Sequence, residues 1–254
     1  MMSRRLAFAG AFLAATVLAN GACADAYPVV VELFTSQGCS DCPAADRIVA
    51  ELAKRKDVIA LSLPITYWDM LGWKDTFATD ANTKRQKAYA RTMSRSGIYT
   101  PQMIVDGILD VVGNRRSRVM LAIDMRAQHH PNGEQPGLSL AVGSGHVEIS
   151  IAATNAKIKP LATIWVMHTL SQGAVDVQQG ENRNHRLAYA NLVRDIERVG
   201  EWNGDEMKIE VPAATVGHAR QDGVAVILQN HDHGEVMAAA LTVVPGNHLL
   251  AAPR

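Results

Sequence analysis

Hydrophobic and polar positions change rhythm several times along this chain, and each change predicts a different piece of structure. Val29 to Phe34 is a β-type run. Past Cys42 the period lengthens: Ala44, Ala45, Ile48, Val49 and Leu52 recur at helical spacing, while Arg47, Glu51, Lys54 and Arg55 take the other face. Val58-Ile59-Ala60-Leu61-Ser62-Leu63 is then a continuous apolar run of strand length, as expected of a central strand covered on both faces. Together these segments predict a βαβ unit with parallel strands, complete at about Thr66.

Residues 80 to 96 predict a second helix, polar and basic on one side, ending at Gly97. Thr100-Pro101 stands at the entrance of a strand that runs to Val105. The Asp106-Gly107 turn lets Ile108 to Val112 return as its antiparallel partner. Arg115 to His130 predict a closing helix with Val119, Met120, Ile123 and Ala127 inward. Residues 131 to 137 are a linker by their proline, glycine and asparagine content. Beyond it come only short β-type runs, at Leu138–Val142, His146–Ile151, Ala162–Leu170, Met207–Val211, Val224–Leu228 and Val236–Val244. They predict a small all-β, sandwich-like domain over residues 138–254, separate from the first sheet.

The leading segment belongs to neither domain. Arg4 and Arg5 precede an uncharged stretch from Leu6 to Ala19, too short to span a bilayer comfortably, and Ala22-Cys23-Ala24 and Ala24-Asp25-Ala26 resemble cleavage sites. Residues 1–24 therefore read as a signal peptide and residues 25–130 as the first mature domain, in a periplasmic or secreted protein. A lipoprotein acylated at Cys23 is the alternative; Asn20-Gly21-Ala22 lacks the leucine usual three positions upstream, which favours the unanchored form. Loss of Arg4 and Arg5 from 25 basic residues leaves two more acids than bases, which gives no electrostatic footprint for nucleic acid or an anionic membrane. A hydrophobic fraction of 48% is enough for a real core.

Removal of the leader also removes Cys23, leaving Cys39-Ser40-Asp41-Cys42, a C-x-x-C between a strand and a helix. Two thiols at a helix start close a disulfide with little backbone movement, and the free amides of the first turn favour a thiolate on the leading one. Cys39 is the candidate nucleophile and Cys42 the buried resolving partner. Asp41 beside the sulfurs opposes a second negative charge, which stabilises the disulfide and predicts a reductant or isomerase-type exchanger over an oxidase; Ser40 shares the tuning position. Trp68 and Trp73, in the loop after the second strand, are placed to wall a groove for a peptide. Three alternatives stand beside exchange. One is a binding protein whose C-x-x-C is a permanent bridge, another is zinc completed by residues such as His231 and His233, and the third is copper delivery. No metal or cofactor is assigned.

The order βαβ, helix, ββα, with C-x-x-C after the first strand and Thr-Pro before the third, resembles the thioredoxin fold over residues 28–130. The resemblance implies a cis proline at Pro101 lying against the dithiol, with Thr100 pairing with a bound protein or peptide substrate. It also implies that Glu32 shuttles a proton to the inner cysteine. Val31 to Cys39, Tyr67 to Asp75 and Gly180-Glu181-Asn182-Arg183 are similar to a family of exported bacterial thioredoxin-like proteins catalogued as a domain of unknown function. That family supplies neither a substrate nor a redox partner. Gly38 stands where thioredoxins have an aromatic residue, so a different mode of recognition is implied.

Overall fold

The computed structural model describes residues 27–129, 135–155, 161–213 and 221–244. The expected signal peptide, Cys23 and residues 131–134 of the expected linker lie outside the described residues. In chain order the first half forms β1 (Val29–Thr35), α1 (Cys42–Leu52), β2 (Val58–Pro64), α2 (Asp80–Thr92), β3 (Gln102–Val105), β4 (Leu109–Val112) and α3 (Arg116–His129).

β1 is buried at every position because each of its faces meets a different layer. Val29, Val31 and Leu33 pack with Ala45, Ile48 and Val49 of α1 and Val119 and Ile123 of α3. Val30 and Phe34 lie in the cluster that holds Tyr89 of α2. β2 pairs with β1 in parallel, β3 pairs with it antiparallel, and β4 follows β3 at the edge. α2 stops at Thr92, short of the expected limit, because Met93 leaves helical geometry and Ser94 takes a φ of 53°. The turn between β3 and β4 places Asp106 at φ 48° and Gly107 at φ 75°. A Cβ on Gly107 would stand 2.1 Å from the Gly234 carbonyl, so glycine is required there on two counts.

Downstream follow β5 (Leu138–Val142), β6 (His146–Ile151), β7 (Ala162–Asp176), β8 (Arg186–Trp202), β9 (Met207–Pro212), β10 (Gly223–Asn230) and β11 (Val236–Val243). The expected separation from the first sheet does not form. Eight strands run in the order β11-β10-β7-β8-β2-β1-β3-β4, joined across the halves by a parallel bridge between Ser62 and Leu192. β5, β6 and β9 make a second, three-stranded sheet whose Val147, Ile149 and Ile151 share a core with Ile164, Val166 and Val226 of the large one.

The bridge was hidden because β8 does not look like a strand. Leu187 and Tyr189 alternate as a half-buried strand should, but Leu192 and Val193 are both buried neighbours. Asn191 adopts a φ of 46° and the register with β7 slips between His168 and Thr169, so a bulge resets the alternation midway. β7 pairs with β10 only up to Thr169, beyond which β7 and β8 continue as a two-stranded arm. Val177, Leu187, Tyr189 and Leu192 give that arm its own small core, closed by Trp73 and Phe77 from the loop after β2.

Candidate functional site

The arm folds back over the start of α1, and this decides the character of the site. Cys39 and Cys42 form a disulfide with Cα atoms 5.4 Å apart. Cys42 opens α1, with Pro43 behind it in the first turn, where its missing amide costs nothing. The expected accessible Cys39 is not what the structure holds: it is 2% exposed and Cys42 is fully buried. The side-chain amide of Asn182, at the arm's tip, donates to the carbonyl oxygens of Gln37 at 2.9 Å and Cys39 at 2.8 Å. Beside it the Ser40 amide donates to Glu181 at 3.0 Å. Ser40 holds the exposed Glu181 carboxyl below its usual range. Thus Gly180 to Arg183, a long way off in sequence, covers the backbone of residues 37–40.

The loop after β2 braces the same segment from the other side. Asp75 accepts from the amides of Gln37 at 2.8 Å, Phe77 at 2.8 Å and Ala78 at 3.0 Å. Trp73 donates to the Gln37 side chain at 2.8 Å and packs into the arm's core, so it anchors the loop and does not wall an open groove. Trp68 packs beside Gly38 and donates to the Thr100 hydroxyl at 2.8 Å, which links that loop to the residue before Pro101. The Thr100–Pro101 bond is cis. Pro101 lies close to Ala45 of α1, since a Cβ on Gly113 would touch both at 3.2 Å. Asp41 is exposed and makes no cap to α1; its carboxylate accepts from Asn114 at 3.4 Å.

Beneath the disulfide lies a group of acids absent from the sequence reading. Asp46 stands one helical turn after Cys42 on the buried face of α1, so the two side chains are neighbours. Its Oδ1 accepts from Thr35 at 2.8 Å, while Oδ2 is buried without a partner. Burial pushes this carboxyl up to about 8, with Asp75 adding to the rise against the opposing Thr35 bond. Burial likewise lifts Asp75 to about 6, against three backbone amides that favour its charge. The Tyr189 hydroxyl is buried and unpartnered, and burial, Asp46 and Asp75 raise it. The signal available for Asp46 was its position: a lone acid on the apolar stripe of an amphipathic helix.

Glu32 is not part of this group. The pleat of β1 sends Thr35 toward Asp46 and Glu32 to the opposite face, where it accepts from Arg85 at 2.5 and 3.0 Å and from the Tyr89 hydroxyl. His233 belongs to that face too, edge-on to Tyr89 and tilted against Trp165, and burial lowers it to about 4. His233 therefore stands on the face of β1 opposite Asp46. Among the described residues no cluster of His, Cys, Asp and Glu is arranged to hold a metal ion. No helix among them is long and apolar enough to cross a membrane.

The disulfide at a helix start, the Gly-Glu-Asn-Arg tip that straps it and the tryptophan-containing loop that braces it all lie within residues 30–229, which match one family, described as a protein of unknown function, DUF1223. The chain belongs to the DUF1223 family. An Agrobacterium tumefaciens protein solved by X-ray crystallography is similar to it, with 32% identity and a TM-score of 0.74, over 90% of this chain and 99% of that one. A protein of Archaeoglobus fulgidus named "Probable Thioredoxin" is 43% identical over 37 residues. That match takes in 15% of this chain and 41% of the archaeal protein's length. The family match reaches through Asn182 and Tyr189, so the arm over the dithiol lies within the DUF1223 region.

Proposed function

We propose that this DUF1223 protein is an exported thiol-disulfide exchanger, with residues 28–130 as a thioredoxin-like unit and the β7–β8 arm as a removable cover. The observation that carries the reading is Asp46. A purely structural bridge gains nothing from a buried carboxyl with an unpaired oxygen one turn below it, and such a group is costly to bury. A dithiol that opens and closes does gain, because one sulfur must take up and give back a proton in each cycle.

The sequence of events follows from the placement. With the arm lifted, a thiolate on a partner protein attacks Cys39 Sγ, the Cys39–Cys42 bond breaks, and Cys42 leaves as a thiolate that takes the Asp46 proton. In reverse, Asp46 accepts the Cys42 proton, and the Cys42 thiolate attacks the mixed disulfide, releasing the partner's thiolate and restoring the internal bridge. Burial disfavours the thiolate forms, which stabilises the disulfide and supports a reductant or isomerase-type couple over an oxidase. Thr100 and Pro101 are proposed to position the partner once the arm has moved.

The test is trapping. Cys42→Ser leaves Cys39 free, and exposure to a protein disulfide should yield a covalent mixed disulfide at Cys39 by mass spectrometry, absent in the double Cys39→Ser/Cys42→Ser variant. A second reading, a non-catalytic binding protein with a permanent bridge, is favoured by one observation: both cysteines are closed off beneath Asn182. It is the correct one if Cys42→Ser traps nothing.

A further inference from the structure

We infer that the edge strand β4 and the adjoining face of α3 form a docking groove for an acidic, extended polypeptide segment of another protein, which adds to the sheet as a further strand. β4 is the terminal strand of the eight and, among the described residues, pairs only with β3. Gly113 donates its amide to the Pro101 carbonyl, which fixes the alternation of the ladder: the Leu109 and Val111 amides face β3, while Asp110 and Val112 turn theirs outward, the Val112 carbonyl already accepting from the Arg115 amide. An outward row of this kind is what an incoming strand pairs with.

Beside that row is a groove of about 520 Å³ between β4 and α3. Of nine large apolar residues exposed among the described ones, four line it: Ile108, Val112, Leu121 and Met125. Leu121 and Met125 stand one helical turn apart on α3, so they make a continuous stripe along the groove.

The charge says what fits. Arg95, Arg115 and Arg118 line the groove, and its one acid, Asp110, is occupied: it accepts from Tyr99 at 2.6 Å and Gln102 at 3.1 Å and pairs with Arg95 at 3.0 Å. Arg115 and Arg118 are exposed and make no ion pair with the described residues, so the groove keeps a surplus of positive charge. A second copy of this chain, docked edge to edge, would bring these arginines against their own counterparts, a repulsion that an acidic strand turns into attraction. This inference does not depend on whether the dithiol turns over.

The probe is an acetylated octapeptide of alternating glutamate and valine, with the lysine–valine octapeptide as control, titrated into the full-length protein at low salt. The acidic peptide should bind with an affinity that falls as salt rises, and should slow hydrogen exchange at the Asp110 and Val112 amides. The double variant Arg115→Glu/Arg118→Glu, altered only at exposed positions, should keep its melting temperature and lose at least about tenfold in affinity, near 1.4 kcal/mol. Val112→Pro, which removes one outward amide, should abolish binding. Equal binding of both peptides, no binding of the acidic one, or concentration-dependent dimerisation lost in Leu121→Glu would overturn the inference.

Discussion

Asp46 is the residue on which the proposed exchange turns, and its protonation has a consequence for stability that is independent of any substrate. Its folded pKa of about 8 lies above the ordinary carboxyl value of 3.8, so between those limits the folded protein holds a proton that the unfolded chain releases. The group therefore favours folding below about pH 4 and withdraws that contribution as pH rises toward 8, at no more than about 1.4 kcal/mol per pH unit. Asp75 acts in the same direction up to about pH 6. Asp46→Asn, which keeps the shape without the titration, is expected to flatten this decline: urea denaturation at pH 5 and pH 8 should show a smaller loss in the variant than in wild type. An unchanged slope would mean that Asp46 is ionised in the folded state. Cys39, Cys42 and the Thr100–Pro101 pair were legible in the sequence because spacing and neighbours announce them. Asp46 was not, since an acid on a helix is ordinary until its surroundings are known. Glu32 misled for the opposite reason: the resemblance implies a proton role toward the inner cysteine, but the parity of the pleat sends it to Arg85, away from Cys42.

At the scale of elements, β1, α1, β2, α2, β3, β4 and α3 follow from periodicity, with boundaries shifted by a few residues, as where left-handed Ser94 follows the end of α2. The arm does not follow, because its strands bulge at Asn191 and its tip meets residues 37–40 across a separation no pattern encodes. Yet the arm sets access to the disulfide. Asn182→Ala removes two side-chain hydrogen bonds to the carbonyls of Gln37 and Cys39, and the expected cost is about 1–2 kcal/mol of local stability. Under native conditions the variant should be reduced by dithiothreitol roughly tenfold faster than wild type, with its secondary structure unchanged. An unaltered reduction rate would show that the arm is no cover.

One eight-stranded sheet runs through both halves of the molecule, and the halves are tied by buried charge as well as by strand pairing. Arg85 of α2 reaches Glu32 of β1 and Gln229 of β10, and Arg126 of α3 reaches both Asp106 and Glu235. Removing the Arg85 side chain leaves Glu32 buried without its cation, so Arg85→Ala is expected to cost roughly 3–5 kcal/mol in urea denaturation. For the same reason unfolding should follow a single cooperative transition by circular dichroism and by tryptophan fluorescence, and two separated transitions would argue for independent halves. The central claim, that the buried bridge is a working redox couple, is tested most directly by equilibrating the folded protein in glutathione buffers and counting free thiols by mass spectrometry. Reversible two-electron reduction of Cys39–Cys42 with the fold intact is expected, at a potential well below that of strong oxidases, about −120 mV. A bridge that stays oxidised until the protein unfolds would contradict it.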